Sequence, residues 1–422
     1  MVDGIKRGPH PELGAERHVE GRKIDDPSRL RRPVRARPLS ATRLRGYLWQ
    51  ALALALVLAL LAFLARNAAL NMARLNINTG FGFLARPAGF AIAQHFISYD
   101  EASTYFAAFL VALLNTVVIA AVAIACATIL GFVIGAARLS SNRLVAFTAG
   151  VYVDVIRNVP LLLQLFYWYF AVLRPLPGPR QSLDLFHLHV AFLNARGLFL
   201  PAPAFAPGSG AVLITLLAAL AMAAALWRSL RRREREGRAP RMERGALALL
   251  PLIPLGVAAA EGWPLGWEVP VLAGFNFRGG IVLNPEFVAM AVALSLYGAA
   301  YIAEIVRAGI AAVPAGQAEA ARALGMGRFL VARKVVVPQA LRIILPPLAG
   351  QYILLTKNTT LAAAIAYPDL MLIFGGTVLN QTGQPLEVMI ITIGTYLGLS
   401  FAISAAMNAA NRRWRRMGAL AP

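Results

Sequence analysis

The chain has 422 residues, of which 58% are hydrophobic and only 14% charged, and its mean hydropathy is +0.62. Soluble globular proteins carry about 25% charged residues, so the composition argues against a water-soluble multidomain enzyme. The balance of 41 basic to 20 acidic residues gives a net charge of +21, a value that suggests nucleic acid in a soluble protein but not where the basic residues sit as they do here. The single cysteine, Cys126, lies inside an apolar run; it forms no intrachain disulfide and supplies no thiolate zinc site.

Residues 1–46 mix twelve basic and six acidic residues up to Arg45 with many Pro and Gly and show no periodic apolar face. This composition predicts a disordered basic tail. It is not a secretory signal, which needs a short charged region followed at once by an apolar stretch and a small-residue cleavage site. A spanning helix takes about 20 mainly apolar residues, and eight candidate segments meet or approach this: 47–65, 105–136, 151–173, 211–228, 246–262, 286–310, 341–366 and 387–410. The third is apolar only after Pro160. The seventh is expected to be interrupted by Pro346, Pro347 and the polar run Lys357-Asn358-Thr359-Thr360. Broken backbone at membrane depth is tolerated only where it is buried in protein or lines a wet cavity, which marks segment seven as a candidate path.

Basic residues orient the spans. With the N-terminus inside, the inner tails and loops hold 31 Lys and Arg and the outer segments hold 7. Both termini are therefore expected inside, and the net charge reads as a topology signal, helped by anionic membrane lipid, with no role for nucleic acid. The stretch Phe166-Tyr167-Trp168-Tyr169-Phe170 is expected as an interfacial aromatic belt. The outer loop 174–209, with five prolines between Pro175 and Pro203, is expected to pack as an irregular cap. Gly131 and Gly135 form a small-xxx-small spacing that favours close helix packing. The five histidines are too scattered for a metal site.

Glu304 and Arg307 stand one turn apart near the inner end of segment six. Two readings are open: an i,i+3 ion pair whose groups snorkel to the interface, or intramembrane charges that mark a substrate path. Asp154 and Arg157 repeat the spacing, and there the ion pair is expected. Lys357 is separated from the nearest charge, Asp369, by eleven residues. A lone ammonium at that depth needs water or a ligand carboxylate, so Lys357, Asn358, Thr359 and Thr360 are expected to line a central cavity and meet a substrate head group; the competing reading pairs Lys357 with an acid of a sister subunit.

The inner loop between segments six and seven carries the clearest local signal. Pro314 and Gly316 open it, Gln317 to Leu324 is Ala-rich with strong helix formers, and Gly325 is placed as the left-handed terminator. A second run from Phe329 is expected to end before Pro338. The result is a helix–turn–helix elbow at the inner membrane face, a handle for a cytosolic partner.

Glu319-Ala320-Ala321, then Gly325 six positions after Glu319, then Val335, Val337 and Pro338 resemble the EAA loop of binding-protein-dependent ABC importer permeases, with Val standing where the family usually has Ile and Leu. Ala303 to Ile310, Asn158 to Phe166, Val337 to Arg342 and Lys357 to Leu361 are similar to polar amino-acid permeases of the histidine/glutamate type. The added first helix with its outer segment (47–104) and the inserted loop and hairpin (174–262) resemble general L-amino-acid permeases of the Aap/Bzt type. The resemblance implies an all-α polytopic fold: a type I permease domain over 105–412 with five core helices, and a short inner tail at 413–422. It further implies that Gly316, Gln317, Glu319, Ala320, Ala321, Gly325 and Pro338 couple to an ATPase, and that L-amino acids cross the bacterial inner membrane. The implied partners are a second, distinct permease subunit, two ABC ATPase subunits and a periplasmic amino-acid-binding protein.

No Gly-x-x-x-x-Gly-Lys-Ser/Thr loop occurs in the sequence, so ATP and Mg are expected on the partner ATPase and no cofactor or metal on this chain. No catalytic constellation stands out, which argues against a membrane enzyme. An ion-driven secondary transporter is the remaining rival, but such folds show repeats that this sequence lacks.

Overall fold

The computed structural model describes residues 41–74, 79–235, 245–247 and 249–419. The tail expected to be disordered therefore lies almost wholly outside the described residues, as does part of the basic loop Arg228–Arg244. The chain divides into two units, Met1–Asn76 and Ile77–Pro422. The first is described by one helix, α1 (Ala41–Arg74). Its Leu- and Ala-rich sequence favours helix, and Leu52, Leu54, Val57, Leu58 and Leu60, which lie on different sides of it, are all exposed. A helix apolar on every side is suited to lipid rather than to water.

In the second unit the central pair is α2 (Tyr105–Ala137) and a later helix, Pro285–Ala311. The α2 start is capped by Thr104, whose side-chain oxygen accepts from the Ala107 N–H at 3.2 Å. The two helices meet at the small-residue stripe. A Cβ at Gly131 would lie 2.6 Å from the Ile302 Cβ, and one at Gly135 would lie 2.7 Å from the Ala303 carbonyl oxygen. Only glycine permits that approach, as the spacing anticipates. Ile119, Ala123, Met290, Leu294, Ile344 and Leu355 are buried around this contact.

Between these two helices in sequence, α3 (Arg143–Asn158) and α4 (Leu161–Phe166), extended by a π-helical turn Tyr167–Leu173, replace the straight span expected over 151–173. They bend by 103°. Pro160 is the cause: it offers no N–H, and it drives Val159 to an extended conformation, φ −97° and ψ 127°.

The segment after Arg174 forms short antiparallel strands where an irregular cap is expected. β1 (Leu183–Asp184), β2 (Phe192–Asn194) and β3 (Gly197–Leu200) are adjacent to a strand from beyond the insertion, Ile281–Leu283, with Phe199 opposite Val282. β4 (Ala202–Phe205) pairs with β5 (Leu265–Glu268), while Val271–Ala273 and Asn276–Arg278 (β6 and β7) form a hairpin before Ile281–Leu283 (β8). The proline count blocks helix but leaves edge pairing open. The β4–β5 pair brackets the inserted helices α5 (Ser209–Arg235) and α6 (Leu252–Ala260).

The rest of the membrane part runs α7 (Pro285–Ala311), α8 (Ala315–Ala323), α9 (Arg328–Val331), α10 (Val337–Asn358), α11 (Leu379–Thr382) and α12 (Pro385–Ala419). The molecule is mostly helical, as expected. Among the described residues, five helices are long and apolar enough to cross a membrane, and the α3–α4 pair makes a sixth if counted as one span. Segment five appears as the shorter α6. Segment seven appears as α10, which runs unbroken through Pro346 and Pro347, where an interruption is expected. The two missing N–H donors are tolerated because α7 and α12 pack against this helix. The change falls within the polar run, where it is also expected: after Asn358 the helix tightens to a 3₁₀ helix, Thr359–Ile365, that ends at Ala366 with φ +60°.

Candidate functional site

The elbow begins at Pro314, after which α8 covers Gly316, Gln317, Glu319, Ala320 and Ala321. Ala321 alone of these is buried; Gly316, Gln317, Glu319 and Ala320 are exposed. The helix ends in a Schellman arrangement. The Gly325 N–H donates to the Arg322 carbonyl at 2.9 Å, and the Met326 N–H to the Ala321 carbonyl at 3.2 Å. Gly325 holds φ +79°, the left-handed terminator its position suggests. Around it the elbow presents apolar side chains to the outside: Leu324 is 83% exposed and Phe329 76%. The Glu319 carboxylate makes no hydrogen bond or ion pair among the described residues. An exposed apolar pair therefore stands beside a carboxylate that has no partner among the described residues.

The second arm departs from expectation at Pro338. The run does not stop there. α9 passes into a π turn, Ala332–Val336, and then into α10, whose first turn contains Pro338. The wider π turn accommodates a residue that cannot donate its own N–H and whose ring would crowd the preceding turn. The elbow is thereby joined to α10 as one continuous helical lever.

At the far end of α10 the Lys357-Asn358-Thr359-Thr360 run divides. Thr359 is fully buried and its hydroxyl donates to the Thr356 carbonyl at 2.8 Å; the Thr360 hydroxyl donates to the Lys357 carbonyl at 2.9 Å. Lys357 is exposed, and its ammonium has no partner among the described residues. Glu304 and Arg307 join neither this run nor each other alone. Arg307 Nη2 donates to Glu304 Oε1 at 2.6 Å, and Arg138, at the end of α2, donates to the other oxygen of the same carboxylate. The three-residue bridge ties α2 to α7 and favours the structural reading of this pair. The ion pair expected between Asp154 and Arg157 is replaced by a different contact: the Arg157 guanidinium lies over the Tyr301 ring, 5.0 Å from its centre. In the aromatic stretch, Tyr167 and Phe170 are exposed as a belt requires, but Tyr169 is buried and its hydroxyl donates to Glu286 at 2.7 Å.

A cluster missed by sequence reading lies just beyond the run. Asn115 and Asp369 are both fully buried. The Asn115 side-chain amide donates to the carbonyls of Gln94 at 2.7 Å and Pro368 at 2.9 Å, and the Tyr367 hydroxyl donates to the Asn115 carbonyl at 3.1 Å. The Asp369 carboxylate accepts from the Leu372 N–H at 2.8 Å and from the Tyr396 hydroxyl at 3.1 Å. The Thr116 hydroxyl accepts from the Leu370 N–H at 2.9 Å. The cluster thus locks the non-helical corner after Ala366 to α2 and α12. Its only sequence signals are an Asn within the apolar run of α2 and an isolated Asp after a proline.

Residues 250–416 match the family described as "Binding-protein-dependent transport system inner membrane component". The putative amino-acid ABC transporter permease protein YhdX of Escherichia coli is 47% identical over 87% of this chain and 94% of that protein. The general L-amino acid transport system permease protein AapQ of Rhizobium johnstonii is 46% identical over 86% of this chain and 90% of that protein. The glutamate/glutamine/aspartate/asparagine transport system permease protein BztB of Rhodobacter capsulatus is 38% identical over 88% of this chain and 94% of that protein. With relatives this similar along nearly the whole length, the chain belongs to the family of inner-membrane permease components of binding-protein-dependent ABC importers, and is not itself an enzyme.

Proposed function

We propose that this chain forms one half of the pore of an ATP-driven importer of L-amino acids, paired with a distinct second permease. Two ATPase subunits engage the inner elbows, and a periplasmic binding protein delivers substrate from the opposite face. Both termini are cytoplasmic. The observation that carries this reading is the elbow. It is a short helix closed by a left-handed glycine, it displays Leu324 and Phe329, and it continues into α10, which carries Lys357 in its last turn and ends at Asn358. A push on the elbow is delivered along about 31 residues of helical lever, Arg328 to Asn358, to the polar run and the corner locked by Asp369. ATP binding shifts the pore between two packings only because it binds them with different affinity. The exposed, unpartnered Lys357 supplies a cation for the substrate carboxylate at the end of that lever. The similarity to amino-acid permeases supports amino acids as cargo, and the similarity to a general L-amino acid permease supports a broad range.

The test is uptake by the assembled transporter carrying Lys357→Met, together with cross-linking from Leu324→Cys to the ATPase. Uptake of each amino acid with weakened apparent affinity, and a permease–ATPase adduct, are expected. Normal affinity for every substrate would remove Lys357 from the path, and labelling of Leu324→Cys from the periplasmic side would overturn the topology.

A further inference from the structure

The segment 79–104 and the strands of the cap take no part in the elbow or the polar run, yet one side chain joins both to the corner at the end of the lever. Gln94 is buried, with 6% of its surface exposed. Its side-chain oxygen accepts from the Asn284 N–H at 3.0 Å, and its side-chain amide donates to the Val282 carbonyl at 3.4 Å. Val282 belongs to the cap strand β8, and Asn284 is the residue from which α7 starts. On the other side, the Gln94 main-chain carbonyl accepts from Asn115 Nδ2 at 2.7 Å, and the same nitrogen donates to the Pro368 carbonyl at 2.9 Å. A continuous series of hydrogen bonds therefore runs from β8 through Gln94 and Asn115 to the residue before Asp369. Aromatic contacts follow the same course. The Phe96 ring lies 6.2 Å from that of Phe287, which lies 5.9 Å from that of Tyr367, whose hydroxyl donates to the Asn115 carbonyl.

The cap and the elbow flank opposite ends of α7, whose 27 residues span about 40 Å. An event at the cap reaches the elbow only through the elements between. The helices among these are stiff, whereas the corner Tyr367–Asp369 is non-helical and held by polar side chains, so it is the element able to adopt two discrete arrangements. Asn115 Oδ1, buried at this junction, has no partner among the described residues. A structural pin is expected to be saturated; a buried acceptor left over is a reservoir that a second arrangement can draw on. We propose that Gln94 is a positioning residue that couples the cap to this corner, so that docking of the binding protein on the cap side is passed to α10 and the elbow. The proposal rests on the importer reading and deepens it, giving the segment 79–104 the role of a bracket between cap and corner.

The experiment measures ATP hydrolysis by the complete reconstituted transporter, with and without the binding protein saturated with L-glutamate. Gln94→Met keeps the length of the side chain and leaves the main-chain carbonyl, so the Asn115 bonds persist and only the links to the cap are cut. Basal hydrolysis should be unchanged, while stimulation by the loaded binding protein should fall about fivefold or more, the factor that one buried hydrogen bond makes in an equilibrium. Gln94→Glu, which keeps the acceptor for the Asn284 N–H, should retain more of the stimulation than Gln94→Met. Asn115→Leu cuts the series lower down, and the double variant should lose no more stimulation than Asn115→Leu alone, because links in series are not additive. Wild-type stimulation in Gln94→Met overturns the coupling. So does an equal fall in basal and stimulated rates, which is what a purely structural role gives, or additive losses in the double variant. A wild-type transporter that the binding protein fails to stimulate would instead remove the importer reading, and the coupling with it.

Discussion

Gly325 offers a way to perturb the elbow through its backbone alone. Its φ is +79°, and a Cβ built there would meet nothing within 4 Å, so an added side chain clashes with no neighbour. The cost of a substitution is then the cost of the left-handed conformation itself, about 1–2 kcal/mol for an ordinary L residue. Asn visits that region more readily, whereas the branched Val is stiffer at χ1 and less tolerant. Little else holds the turn. α8 has nine residues, below the roughly 12–15 needed for a helix to persist alone, and only Ala321 within it is buried. A factor of about ten in the population of the correct elbow accompanies each 1.4 kcal/mol. In proteoliposomes containing both permeases, the ATPases and the binding protein, uptake per ATP hydrolysed should stay near wild type for Gly325→Asn. It should fall a fewfold for Gly325→Ala and about tenfold or more for Gly325→Val, with basal ATPase activity retained. Wild-type coupling in Gly325→Val would refute the argument. Equal losses in Asn and Ala would show that backbone handedness is not the cause.

Filling the helix contact should cost stability: Gly135→Leu places its Cβ 2.7 Å from the Ala303 oxygen and 2.8 Å from the Val306 Cβ. Overpacking of this kind costs about 1–3 kcal/mol, seen as a lower melting temperature, while Gly150→Ala, at an open site in α3, should cause no loss. Asp369→Asn keeps the shape of the buried cluster but weakens the bonds from Leu372 and Tyr396. A loss of about 1–3 kcal/mol is expected, and Tyr396→Phe should lose about 1 kcal/mol by the same route; an unchanged melt in both would dismiss the cluster as a lock. Glu304→Gln should lower the melting temperature modestly and leave substrate affinity unchanged, because its carboxylate is already engaged by Arg138 and Arg307. A large affinity change there would return Glu304 to the substrate path.

Much was legible from the residues in order, because the relevant causes act over short stretches. Apolar runs of span length announce helices, since a backbone in lipid must satisfy its own hydrogen bonds. The elbow was visible in Pro314, the Ala-rich stretch and Gly325, whose handedness is a local property of glycine. The spacing of Gly131 and Gly135 announced a close approach, although not that Ile302 and Ala303 would be the residues approached.

Tertiary structure decided what depends on neighbours distant in sequence. Pro160 bends its span while Pro346 and Pro347 do not, although all three lack the same donor, so residue type alone does not decide the outcome. Arg157 sits on Tyr301 rather than on Asp154, because α7 brings a ring within reach. Glu304 gains Arg138 from the end of α2 for the same reason. The proline-rich cap gains the fourth strand of its sheet only when Ile281–Leu283 returns to β3. The Asn115 bond to Pro368 joins residues 253 positions apart. A buried polar group must find a partner to offset its desolvation, but the sequence cannot say which of the chain's distant groups will arrive.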